Sequence, residues 1–207
     1  TAILPSLSRQ AASRDLEAVK ATFAHAMKLV LFITIPSMVG LIVLREPIVA
    51  LLFKRGVFDS KAVQLTAYAL LYYGIGLWAF SGVRIVVSTF YALQDTRTPV
   101  RIAVISIIAN IGLGIILMGP LAHGGLALST SLASMLNLGL LVRALKMKLG
   151  PSGLRSIAES ACKNVLCAAI MGAVVMVVSI FIIPSADGSL QGLFFGLMGT
   201  IIIGFLF

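Results

Sequence analysis

The feature that most constrains this chain is a succession of apolar stretches, each close to the length of a membrane-crossing helix. About 20 residues of helix cover a hydrocarbon core of about 30 Å. Stretches at roughly 26–44, 65–93, 100–118, 121–142, 164–183 and 190–207 qualify or nearly do. Their apolarity is continuous and does not alternate with a period of two, so backbone groups are satisfied within helices and not in a barrel. The reading is an all-α fold, a polytopic bundle of membrane helices. Composition agrees: 59% of residues are apolar and 11% charged, against about 25% charged in soluble domains. The net charge of +9 then sets topology and meets anionic lipid headgroups; no nucleic-acid partner is expected. The sequence opens Thr-Ala-Ile-Leu-Pro without an initiator Met and stops inside an apolar run, which reads as a piece cut at both ends.

Charge between the spans gives their orientation. Segments 6–28, 94–101 and 143–163 fall on one side if spans alternate, and they hold eleven Lys and Arg; 45–64 and the other connections hold four. The richer side is cytoplasmic. Within it, 13–30 reads as an amphipathic helix at the headgroup boundary, with Ser13 as N-cap and a stripe of Leu16, Val19, Phe23 and Met27. On the outer side, "REPIVALLFKRGVF" is too short to span and reads as a short helix or inserted hairpin, with Pro47 near its start and Gly56 at a turn. Pro99 suits the first turn of the third span, while Pro120, Pro151 and Pro184 mark ends and loops. Pro36 lies inside the first span and should kink it. Cys162 and Cys167, five apart on one helix, read as buried small hydrophobes.

One charge interrupts this pattern. Arg84 lies inside the second span, eleven residues before Asp95 at the cytoplasmic turn, or about 16 Å along a helix. Lipid exposure there costs at least about 2.5–3.5 kcal/mol, so the side chain should face protein or water. Tyr73, Ser81, Ser88, Tyr91 and Asp95 fall close to the same helical face, and Val83, Val86, Val87 and Phe90 lie opposite, suited to lipid or packing. The spans of this chain hold no Asp or Glu to pair with Arg84. Either a carboxylate partner lies elsewhere in a longer protein, or the charge faces a hydrated cavity and awaits an anion, for which a planar fork is well suited. Lys163, at the cytoplasmic end of the fifth span, either reaches that cavity or snorkels to the interface. The mid-span amides Asn110 and Asn137 are expected to hydrogen-bond between helices, and Gly112, Gly114, Ser129, Ser131, Ala133 and Ser134 to permit close packing. His25 and His123 are isolated, and no metal spacing, phosphate loop, nucleophile elbow or acidic pair is present. Anion binding and translocation is favoured over an enzyme, with no cofactor and no metal.

Four motifs, "ILPSLSRQAA" (3–12), "LLFKRGVFD" (51–59), "FYALQDTRTPVRIAV" (90–104) and "GPLAHGGLALSTSLASMLNLGLL" (119–141), together resemble the MurJ/MviN family of lipid II flippases in the MOP group of exporters. The resemblance extends over essentially the whole chain. It implies two pseudo-symmetric MATE-like lobes around a central cavity, plus two extra C-terminal spans. Residues 1–150 would run from the end of the eighth span through the twelfth, in the second lobe, and 151–207 would be the C-terminal span pair. It further implies lipid II as substrate, flipped from the inner to the outer leaflet of the bacterial plasma membrane. Arg84 falls at the position of a cavity-facing basic residue, and Lys163 matches one at the start of the penultimate span. With Ser81 and Ser88 beside Arg84, these four are the expected substrate-binding residues. Membrane lipids and the cell-wall synthesis machinery are the other partners implied. The alternatives are another exporter of this fold, for an oligosaccharide-lipid or a drug, a membrane enzyme acting on lipid phosphates, or a scaffold of a wall-synthesis complex.

Overall fold

The computed structural model describes residues 3–13, 15–53, 59–150 and 153–182. The sixth expected span, Gly56, Pro151 and Pro184 lie outside the described residues. Those described form helices only: α1 (Ile3–Ala12), α2 (Leu16–Val43), α3 (Arg45–Phe53), α4 (Ser60–Ile75), α5 (Leu77–Ala92), α6 (Arg97–Leu121), α7 (His123–Leu149) and α8 (Leu154–Ile182). Helices α2, α6, α7 and α8 are each long and apolar enough to cross a membrane.

The expected second span is not one straight helix. It is broken at Gly76 into α4 and α5, bent by 40°. Periodicity alone missed this because the apolar pattern runs through the break. The first span, in contrast, is longer than expected. Segment 13–30 is not a separate helix: from Leu16 on it is the first half of α2, and its apolar stripe from Val19 on turns into the bundle. Val19 and Phe23 are fully enclosed and Met27 nearly so, packed with Leu7 of α1, Phe90 of α5, Leu145 and Leu149 of α7 and Ile157 of α8. Burying a side chain of this size is worth about 1.5–3 kcal/mol relative to water, which favours the bundle over the interface. Ser13 does not cap α2. It still belongs to the turn that ends α1, with its hydroxyl on the Gln10 carbonyl, so Asp15 becomes the cap and accepts the Ala18 N–H at 3.0 Å. Helix α2 then continues through Pro36.

Packing is sequential. Helix α8 lies on α2, α2 on α4 and α5, these on α7, and α7 on α6. The result is a row of spans one helix thick, with α8 and α6 as its ends, α1 against α2 and α5, and α3 against α4. Among the described residues α8 packs chiefly on α2, which leaves most of its circumference exposed. Cys162 and Cys167 are therefore exposed, contrary to the sequence expectation.

Candidate functional site

The three segments rich in Lys and Arg lie along one face of the row, and the motif "LQDTRTPV" joins two of them. After α5 ends, Gln94 adopts a left-handed backbone (φ 58°) and turns the chain. Asp95 then accepts from the Thr98 N–H at 3.0 Å, the Thr98 hydroxyl at 2.8 Å and the Lys148 ammonium at 2.6 Å. The Lys148 bond first, and then those from Thr98, hold its carboxyl well below the usual carboxylate range. Asp95 is thus committed to tying α6 to the end of α7, and it does not extend a polar stripe from Arg84.

Arg84 occupies the middle of α5. Gly76 lies against Ser131 and Gly82 against Leu138, two residues past Leu136 at the centre of α7. Arg84 is therefore about 6 Å from mid-height, toward the end of α7 that carries Lys146 and Lys148. It is exposed, as is Tyr91 one helical face-repeat further on, while Ser81 and Ser88 on the same face are half-buried. The Ser88 hydroxyl donates to the Arg84 carbonyl at 2.8 Å. The opposite side of α5 is packing surface, with Val86 and Phe90 fully buried. The ion pairs among the described residues use Lys20, Arg45, Lys148 and Arg155, so the Arg84 guanidinium has no carboxylate there. Tyr73 falls before the break and does not continue the α5 face. Lys163 is exposed on α8, which packs on α2 and not on α5; the structure does not bring it beside Arg84.

A second polar feature lies between α5, α6 and α7. A pocket of about 250 Å³ is lined by Ser106, Asn110, Thr130, Ser134 and Asn137 together with apolar groups that include Val83. The amides do not bridge the helices as expected: the Oδ1 atoms of Asn110 and Asn137 are enclosed and have no hydrogen-bond partner among the described residues. Small residues explain the enclosure, since Gly114, Ser129, Ser131, Ala133 and Ser134 are buried in the close contact of α7 with its neighbours. Arg84 does not line this pocket, although Phe80, one turn before it on α5, does.

Sequence reasoning passed over Gly76 and gave Ser131 only a packing role. The available signal was "YYGIG" (72–76), two glycines in the middle of an apolar run too long for one crossing.

Comparison with known proteins gives a consistent result. The family model described as lipid II flippase MurJ matches residues 1–191. A probable lipid II flippase MurJ from Vibrio cholerae is 39% identical over 152 residues, covering 72% of this chain and 28% of that protein. One from Rickettsia prowazekii is 37% identical over 141 residues, 68% of this chain and 28% of its own length. A solved structure of lipid II flippase MurJ in an inward closed conformation superposes with a TM-score of 0.77 at 26% identity, over 100% of this chain and 41% of that one. The chain thus spans under a third of the length of these curated relatives. Helical architecture, membrane-crossing spans and sequence agree: the chain belongs to the MurJ family of lipid II flippases.

Proposed function

We propose that this chain is part of a flippase that moves lipid II from the inner to the outer leaflet of the bacterial inner membrane by alternating access. Residues 1–150 belong to its second lobe, and 151–207 to a C-terminal pair of spans. The observation that carries the reading is the match of the MurJ family over residues 1–191. Arg84 supports it chemically: an exposed guanidinium near mid-height, with no carboxylate partner among the described residues, suits a diphosphate bridged to lipid. Ser81 and Ser88 offer hydroxyls beside it, and Lys163 attracts the anionic headgroup from the cytoplasmic end. A polar headgroup does not cross hydrocarbon unaided, because its hydrogen-bonding and charged groups lose water without replacement. Rocking of two lobes around a hydrated site supplies that replacement on both sides. The protein acts as a transporter, and its partners are lipid II, the surrounding lipids and the wall-synthesis machinery that uses the product.

The test is to express the full-length protein in bacteria whose own lipid II flippase is shut off, and to measure lipid II on the outer leaflet. Wild type restores exposure; Arg84→Ala at equal protein level reduces it at least about tenfold, the scale of a lost charge-assisted contact of about 1.4 kcal/mol or more; Arg84→Lys restores part. A well-expressed wild type that exposes no lipid II contradicts the substrate assignment. Full exposure with Arg84→Ala leaves a flippase in which Arg84 has no role at the site.

A further inference from the structure

The geometry points to Ser131 as a positioning residue: by holding the bend of the broken span, it fixes where α5 presents Arg84. This inference rests on the reading of Arg84 as the cation that meets substrate.

The break has a backbone cause and a side-chain remedy. In an unbroken helix the Gly76 N–H would donate to the carbonyl of Tyr72, four residues earlier. Here it donates to the Tyr73 carbonyl at 3.1 Å, and the Tyr72 carbonyl loses its helical partner. In a membrane no water replaces that partner at depth, so the freed carbonyl must be satisfied by protein. The Ser131 hydroxyl of α7 does so, donating to the Tyr72 oxygen at 2.6 Å across 59 residues of sequence. Ser129, two residues away and equally buried, spends its hydroxyl on its own helix, on the Leu126 carbonyl at 2.9 Å.

Close approach makes this bond specific to the break. A β-carbon at Gly76 would sit 2.5 Å from the Ser131 oxygen and 2.9 Å from the Phe80 ring. On either side of that contact, Gly124 of α7 lies against the Tyr72 ring and Leu138 of α7 against Gly82. Positions 124, 131 and 138 are seven apart and share one face of α7. That face grips the broken span before, at and after its bend. Arg84 stands eight residues beyond Gly76, an arm of about 12 Å. Straightening a bend of 40° would swing its backbone by about 8 Å, more than the reach of a hydrogen bond.

The test uses the full-length protein in proteoliposomes, without other cysteines, spin-labelled at Gln64 and Tyr91, which are exposed on α4 and α5. Inter-label distances are compared for wild type, Ser131→Ala and Ser129→Ala, and outer-leaflet lipid II is measured for the unlabelled versions. Ser131→Ala is expected to shift or broaden the distance by several Å and to lower lipid II exposure about fivefold or more, while Ser129→Ala leaves both unchanged. An unchanged distance in Ser131→Ala overturns the proposal, as does an equal change in Ser129→Ala. A changed distance with undiminished exposure also overturns it, since the bend would then not serve Arg84. Failure of the underlying reading looks different: Arg84→Ala would itself retain full exposure.

Discussion

At the level of single residues, the turn between α6 and α7 shows how little freedom their contact has. Ala122 turns the chain with φ 47° and ψ −124°, a conformation that glycine adopts far more readily. A β-carbon at Gly125 would lie 2.2 Å from the Leu117 carbonyl oxygen, a backbone atom that cannot step aside. Gly125→Ala is therefore expected to destabilise by at least about 3 kcal/mol, the upper end of ordinary overpacking, and Ala122→Gly to be neutral or stabilising; thermal unfolding in detergent checks both. The motif "GPLAHGGLAL" is thus largely a packing device. Arg84 was legible in sequence because one permanent charge in an apolar run has few physical explanations. Ser131 was not, because its role depends on a helix break on another span, and a serine that satisfies a distant carbonyl has the same sequence signature as one that merely packs.

Among the elements, the turn between α5 and α6 carries a checkable electrostatic claim. Asp95, just before the cap residue of α6, accepts from Thr98 in that helix's first turn and pairs with Lys148. Its folded carboxyl titrates below the unfolded value of about 3.9. The stability it supplies is fully present above that unfolded value and is lost only as pH falls through the lower folded one. Stability between pH 5 and 8 is accordingly expected to show no pH dependence from Asp95. Asp95→Ala should cost about 1–2 kcal/mol throughout that range, comparable to loss of a helix cap, as read by denaturation at several pH values. Helix ends were only partly legible. Asp15 and Ser13 are both good caps by residue type, and the choice fell to Asp15 because α1 extends one turn further and occupies Ser13. For "REPIVALLFKRGVF" length left a short helix or an inserted hairpin, and Arg45–Phe53 forms the helix.

For the molecule as a whole, a row of spans one helix thick explains why so many large apolar residues are exposed, among them Ile108, Ile115 and Ile116 on α6. The order and approximate lengths of the described spans were legible because hydrocarbon imposes length. What each span touches was not, since all are apolar around most of their circumference. Orientation has its own test: with single cysteines, Met147→Cys at the end of α7 should react with an impermeant thiol reagent only from the cytoplasmic side, and Lys61→Cys only from the outside. The central claim, that Arg84 faces a hydrated site open to an anionic lipid headgroup, is tested most directly by substituting Arg84→Cys in the full-length protein and measuring its reaction rate with a charged, impermeant thiol reagent in inverted vesicles. The account predicts a rate within about tenfold of that at Met147→Cys, slowed by added lipid II. A cysteine at 84 that stays unreactive while Met147→Cys reacts, or one whose rate lipid II leaves unchanged, would contradict it.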